Sequence, residues 1–500
     1  MTSRSTSATG CFGHTSGCWI SGPRTVSRSA EWTSPAGRTV RVTSVRLVSF
    51  TQRAMAAVSY QVEPVGGPAR VALQSELVAN EQLPPSGGDP RAAAVLEAPL
   101  RPEEHRLMMG RAALVHKTGR SGLRVAVAVH HLVDGPAGTG QVTETTPDVA
   151  RRTVIAWLEP GQHLHLVKFV AFGWSGTRSR PALRDQVEGA LAAAMQAGWG
   201  GLAAGQRGYL DAFWGRSDVE VDGDGEIQQA VRFGLFHVLQ AGARAEDRAI
   251  AAKGLTGTGY DGHAFWDTEI FVLPVLTWTT PQAVAHALRW RQATLPMAAQ
   301  RARQLRLNGA AFPWRTINGA ESSGYWPAGT AAFHINADIA HAVIGYLDAT
   351  GDQEFDRGTG LDLLTATARL WRSLGHHDAA GRFRIDGVTG PDEYSAIADN
   401  NVYTNLMAHA AEPGRRRRGG AAAPRPGRGT WRIAGRGRRL AGGRRGDAAA
   451  LRPGAGGTPA GRRVHRAPAV GLRGDRRGSV PAAAAFPVLR AVPQAGGQAG

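Results

Sequence analysis

"EIQQAVRFGLFHVLQAG" (Glu226–Gly242) is where the chain changes its period. Apolar side chains recur at Ile227, Val231, Leu235 and Val238, which lines one face of a helix, and Asp222 or Asp224 stands where a cap would start it. Upstream the period is two. "TVRVTSVRLVSF" (Thr39–Phe50) alternates Val40, Val42 and then Val45, Leu47, and "MAAVSYQVEPV" (Met55–Val65) alternates Val58, Tyr60 and Val62. "ARVALQSELV", "LRVAVAVHHLV" and "TVIAWLEPGQHLHLVKFVAF" continue the pattern, the last turning at Pro160-Gly161. Alternation places successive side chains on opposite faces of a strand. Many such runs with turn signals and no intervening helix predict an antiparallel β-sandwich over 31–210. Downstream, helical runs at 282–307, 331–349 and 359–375 are separated by Gly, Pro and aromatic loops. They predict a bundle or α/α barrel over 241–410, entered through a linker helix at 211–240. The chain therefore reads as multidomain, β followed by α, with function in the loops between helices.

The net charge of +18 suggests a nucleic-acid binder until its distribution is examined. Residues 411–500 hold 20 Arg and only 3 acids, leaving 38 basic against 37 acidic residues in 1–410. Gly, Ala, Pro and Arg fill 69 of those last 90 positions, without apolar periodicity. All four have codons written wholly in G and C, so the segment reads as a G+C-rich gene translated out of frame. An Arg/Gly-rich RNA-binding tail is the rival reading, weakened because only Trp431 and Phe486 are available for base stacking. Either way, 411–500 is expected to be disordered, since this composition buries too little apolar surface to offset chain entropy.

Residues 1–30 are rich in Ser, Thr, Gly and Arg and contain Cys11 and Cys18. They read as disordered or misread. A lone pair of cysteines at this spacing is weak evidence for a metal or a disulfide, so no metal is expected. No secretory h-region and no membrane-length apolar run is visible, which predicts a cytoplasmic protein.

The loops of the helical half concentrate aromatics beside carboxylates and histidines: "GHAFWDTEIF" (His263, Trp266, Asp267, Glu269), "FPWRTINGAESSG" (Trp314, Glu321) and "AAFHINADIA" (His334, Asp338). Tryptophans alone at such spacing are as often core. Paired with carboxylates in successive loops they suit a sugar, whose apolar ring face stacks on an indole while its hydroxyls bridge to Asp, Glu and His. A further loop, "GVTGPDEYSAIADNNVYTN" (Gly387–Asn405), carries Asp392 and Glu393 in a Gly-Pro turn, followed by Asn400, Asn401, Tyr403 and Asn405.

Together with "GLTGTGYDGHAFWDTEIFVLPVLTWTTP" (Gly254–Pro281) and "HINADIAHAVIGYLDATGD" (His334–Asp352), these motifs resemble the catalytic barrel of glycoside hydrolase family 65, the maltose, trehalose and kojibiose phosphorylases and their hydrolytic relatives. "EWTSPAGRTVRVTSVRLVSFTQRAMAA" is similar to that family's N-terminal domain. The resemblance spans roughly 30–410. It implies an N-terminal β super-sandwich and a partial (α/α)6 barrel, with activity on an α-glucosyl disaccharide. It places the general acid at Glu393, and the glucosyl-binding wall and hydroxyl acceptor at Trp266 and Asp267. Trp314, Glu321 and His334 become pocket residues, and Asp392 shapes the loop or orients Glu393. Inorganic phosphate would be co-substrate in a phosphorylase; no cofactor and no membrane or nucleic-acid partner is implied, and a homodimer is. Ser395 departs from the His common after the family's G-P-D-E-Y, which leaves the disaccharide open. After residue 410 there is neither the family's Lys-Gln pair nor a phosphate-binding Ser/His cluster. The 500-residue chain is accordingly expected to turn over little substrate, a non-catalytic product being the alternative.

Overall fold

The computed structural model describes residues 11–21, 25–81, 97–243, 246–257, 259–410 and 489–492. The chain divides into two compact units, the first comprising the described residues up to Asp218 together with 489–492, and the second those from Val219 to Ala410.

The first unit is built on two antiparallel sheets. Strands β1 (Cys11–Ser21), β2 (Thr25–Thr33), β3 (Thr39–Val48), β4 (Met55–Val65), β5 (Ala69–Val78), β6 (Leu100–Met108), β7 (Arg111–Thr118), β8 (Arg124–Asp134), β9 (Gly140–Thr145), β10 (Val149–Leu158) and β11 (Leu164–Ser175) supply them. The larger sheet runs β1-β2-β3-β4-β11-β8-β7-β6, and the smaller places β10 between β5 and β9. β11 shows why its sequence has to be apolar on both faces. Leu164 and Leu166 pack with Leu73 and Val154 of the smaller sheet. Val167, Phe169 and Ala171 point the other way, into helix α1 (Arg180–Ser217), where they meet Leu183, Val187 and Leu191. Gly173 makes that approach possible, because a Cβ there would lie 2.7 Å from Val187. The antiparallel sandwich expected from the period of two is therefore present, with a helix on its outer face.

Three boundaries differ from expectation. Residues 180–210, assigned to the sandwich, are helical, in an α1 that is capped by Ser179 and broken at Gly198 (φ 66°); 211–240 is not one linker helix, because α1 ends at Ser217 and the next helix begins at Gly225. Part of 1–30 is ordered: β1 pairs with β2, and β2 with β3. Within 411–500, strand Leu489–Val492 pairs with Ala72–Ser75 of β5. The backbone hydrogen bonds of an open strand edge account for both. The expected disorder of 1–10, 22–24, 411–488 and 493–500 lies outside the described residues.

The second unit is helical: α2 (Gly225–Ala243), α3 (Leu273–Thr279), α4 (Pro281–Ala293), α5 (Leu295–Gln304), α6 (Trp326–Ala331), α7 (His334–Thr350), the short α8 (Gln353–Phe355), α9 (Leu361–Leu374) and α10 (Val402–Ala410). The run expected over 282–307 is split at Thr294, because Pro296 cannot donate to the preceding turn and instead starts α5. α7 is the centre of this unit. Ile335, Ile339, Val343 and Leu347 are buried among Leu273, Leu276, Leu288, Phe312, Leu363 and Leu370 from the surrounding helices and loops. The loops at the ends of these helices, and His334 at the start of α7, carry the candidate site residues.

Candidate active site

The Trp266 loop is tied down from two sides. Ala264 exchanges two backbone hydrogen bonds with Thr316 (2.8 and 3.1 Å), which joins it to the Trp314 loop. Phe265, buried, stands edge-on to Trp314 with ring centroids 4.9 Å apart. Behind the loop, Glu269 is clasped by Arg291 of α4 through Nε–Oε1 (2.7 Å) and Nη2–Oε2 (3.0 Å). Both side chains are almost wholly buried. Burial pushes the Glu269 carboxyl up, and Arg291 pulls it back. A buried charge of this kind is tolerable only because its partner is present in bidentate geometry. The pair holds the turn Thr268–Val272 so that Trp266 and Asp267 emerge together. Trp266 is half-buried; Asp267 is exposed, with no side-chain cap bond to its own helical turn.

The Trp314 loop is organised by Glu321. Its carboxylate accepts from the backbone amides of Trp314 (2.7 Å), Arg315 (3.3 Å) and Ser323 (2.9 Å). It also faces Arg301 at 3.5 Å, whose guanidinium donates to the carbonyls of Ala311, Phe312 and Gly329. These bonds occupy the Glu321 oxygens, so the side chain expected to line the pocket builds the loop that carries Trp314.

His334 opens α7 and is buried beside Trp266, the two rings edge-on at 5.1 Å. Its Nδ1 bonds Asp338 Oδ2 at 2.8 Å, one helical turn away. Tyr403 of α10 donates to the other oxygen, Oδ1, at 3.0 Å. The Tyr403 ring lies 5.6 Å from His334 and 6.0 Å from Trp266. Burial pushes Asp338 up, against the His334 and Tyr403 hydrogen bonds.

Glu393 sits in the loop that leads to α10. Asn401 caps that helix by accepting from Thr404 N (3.0 Å), and a Cβ at Gly390 would overlap the Asn401 side chain. The glycine of the G-P-D-E-Y motif thus lets the acid loop fold against the start of α10. Asp392 turns inward on its own loop, accepting from Tyr394 N (3.2 Å) and Ser395 Oγ (3.4 Å). Tyr325 donates to the Glu393 carbonyl at 3.2 Å. The Glu393 carboxyl is half-buried, and its pKa is raised. Burial is the main cause; His334 opposes it and the Asp267 charge adds to it.

Trp266, Asp267, His334 and Glu393 therefore converge, while Trp314 and Glu321 belong to the adjoining loop, linked through Phe265. Two descriptions of known domains match the chain: glycosyl hydrolase family 65, N-terminal domain, over residues 25–213, and the central catalytic domain of the same family, over 232–412. The chain belongs to glycosyl hydrolase family 65. It is 59% identical over 384 residues to an uncharacterized glycosyl hydrolase of Mycobacterium tuberculosis (77% of this chain, 49% of that protein). It is 35% identical over 386 residues to the alpha,alpha-trehalose phosphorylase of Thermoanaerobacter brockii (77% and 50%) and 30% over 406 residues to the kojibiose phosphorylase of Escherichia coli (76% and 51%). A solved structure assigned as a kojibiose phosphorylase from the human microbiome superposes with a TM-score of 0.70 at 23% identity, covering 78% of this chain and 50% of that one. That likeness concerns the fold. The chain spans about half the length of the curated relatives it matches.

Sequence reasoning missed Arg291 and Arg301, which lie far along the chain from their partners. Asp338 and Tyr403 stood within the quoted motifs, but without a role. The four-residue step from His334 to Asp338 on one helix was the available signal. Among the described residues, no cluster of side chains suits a metal ion, and no helix is long and apolar enough to cross a membrane.

Proposed function

We propose that the helical unit holds the glucosyl pocket and proton donor of an inverting enzyme that cleaves an α-glucosyl disaccharide, with Glu393 as general acid. Glu393 gives its proton to the glycosidic oxygen as the bond to the anomeric carbon breaks, and a nucleophile enters from the opposite face. In phosphorolysis inorganic phosphate is that nucleophile and no catalytic base is needed; hydrolysis requires a second carboxylate to activate water. The trehalose and kojibiose phosphorylases among the relatives favour phosphorolysis. Trp266 stacks on the glucosyl ring, and Asp267 accepts from its hydroxyls. Trp314 closes the wall beside them, held by Glu321.

The observation that carries this reading is the state of Glu393. A general acid has to keep its proton near neutral pH; burial raises the affinity of Glu393 for one, His334 opposes this and the Asp267 carboxylate adds to it, with the net direction upward. The match to the catalytic domain ends at residue 412, just inside the Arg-rich segment, which supports reading 411–500 as out of frame. On that reading the 500-residue chain binds a glucosyl unit but turns over little, in the cytoplasm. The same chain continued in the shifted frame after codon 410 should cleave trehalose, kojibiose or maltose faster with inorganic phosphate than without. Glu393→Gln in that protein should lose about 10²–10⁴-fold. Undiminished cleavage by Glu393→Gln would refute the assignment.

A further inference from the structure

Two elements of the helical unit, α7 and α10, meet at one buried carboxylate, and a third, the Trp266 loop, packs on the two rings that bond it. Asp338 is 0% exposed, yet both its oxygens are bonded: Oδ2 to His334 Nδ1 on its own helix, Oδ1 to the Tyr403 hydroxyl of α10. His334 and Tyr403 in turn stand edge-on to Trp266 and to each other, within 5.1–6.0 Å. α10 begins where the acid loop ends, the two joined by Gly390 against Asn401. The network thus connects the Trp266 loop to the Glu393 loop through one acidic group. A buried carboxylate is expensive to desolvate, and an apolar residue of similar size would serve a purely structural α7 at least as well.

We propose that Asp338, completed by Tyr403, is a positioning residue of the sugar pocket, acting through His334. An ionised carboxylate only accepts, so the bond at 2.8 Å requires His334 to carry its proton on Nδ1. That fixes the ring's plane and tautomer and, through the edge contact at 5.1 Å, the plane of Trp266. The ring held in this way backs Trp266, the partly exposed side chain that meets the sugar, and keeps it aligned with the Glu393 loop. The inference rests on the reading of Trp266 and Glu393 as the glucosyl and acid groups, although its test does not need turnover.

The test uses the 500-residue chain. Long-range ¹H–¹⁵N spectra, with His334 assigned by loss of its signals in His334→Gln, should show a protonated Nδ1 in the native protein. Tyr403→Phe keeps the ring and removes one hydrogen bond to a charged group, so the His334 signals should move and binding of D-glucose should weaken roughly tenfold. Asp338→Asn should change the tautomer population and weaken binding by up to about 10²-fold, without a matching loss of folded protein by far-UV circular dichroism. Asp338→Glu should recover part of the binding. If both variants stay folded and leave the His334 spectrum and glucose affinity unchanged, the proposal is wrong. If Asp338→Asn does not fold, Tyr403→Phe decides alone. A native chain that shows the Nδ1 proton but binds no glucose would overturn the sugar-site reading, and with it the functional role assigned to Asp338.

Discussion

The two units differ in which ionisable groups they bury and in what faces them. In the sheet unit, the buried ionisable side chains among the described residues are Lys168, His131 and His116, and no acid is buried with them. Lys168, 0% exposed, donates to the Glu76 carbonyl at 2.6 Å, and His131 bonds Ser75 Oγ at 2.7 Å. Both are pushed toward neutrality by burial, Lys168 to about 7. In the helical unit, Glu269 and Asp338 are buried, each against a basic partner, Arg291 and His334. His116 instead meets the partly exposed Asp148 at 2.9 Å, so the sheet unit discharges two of its buried groups and pairs the third with an acid at the surface. The helical unit keeps its acids and pairs them, and it does so behind the loops that carry Trp266 and Glu393.

Breaking a pair should cost most. Arg291→Met leaves Glu269 buried without its partner, and the helical unit should lose about 3–5 kcal/mol by urea denaturation. Replacing both residues by Met and Leu should restore much of that stability. If Arg291→Met alone were neutral, the pairing would not be what stabilises the Trp266 turn.

A smaller effect is expected in the sheet unit, as a function of pH. Lys168 falls from an ordinary 10.5 to about 7 on folding. Between those values the unfolded chain binds the extra proton, so stability rises with pH there and is lost as pH drops through 7. From pH 6 to 9 the gain is about 2–3 kcal/mol, an order-of-magnitude figure. His131, also lowered, adds to the slope in the acid part of that range. Hydrogen exchange of β11 amides, corrected for intrinsic rates, should show this rise, and Lys168→Met should flatten it above pH 7. A slope unchanged in Lys168→Met would locate the titration elsewhere.

The smallest effect sharpens the site itself. Asp267→Asn removes a like charge from beside Glu393, so the Glu393 carboxyl should titrate at lower pH, visible by ¹³C NMR of the carboxylate. Because burial is the larger cause, the shift should be partial. No shift, or an upward one, would mean that the Asp267 charge does not act on the acid.

Much of this architecture was legible in the sequence. The change of period near Asp222 separates the two units, and the alternations at 39–50, 55–65 and 69–78 match β3, β4 and β5 closely. α1 was missed although its buried Leu183, Val187, Leu191 and Ala194 follow a helical step, because the Gly-rich break at Gly198 resets the phase before Leu202, Gln206 and Leu210. At the site, Trp266, Asp267, His334 and Glu393 could be named because each lies in a short motif. The jobs of Glu321, Arg301 and Arg291 could not, since a carboxylate that holds backbone amides and one that meets a sugar are the same residue type. Only the fold decides which donors reach it.

The central claim is that Glu393 donates a proton, and it is tested most directly by comparing two leaving groups. In the protein continued in the shifted frame after codon 410, Glu393→Gln should slow cleavage of an α-glucosyl disaccharide about 10²–10⁴-fold. Cleavage of α-glucosyl fluoride, whose leaving group needs little protonation, should suffer far less. Equal losses on the two substrates would contradict the account and show that Glu393 holds the sugar in place instead of supplying its proton.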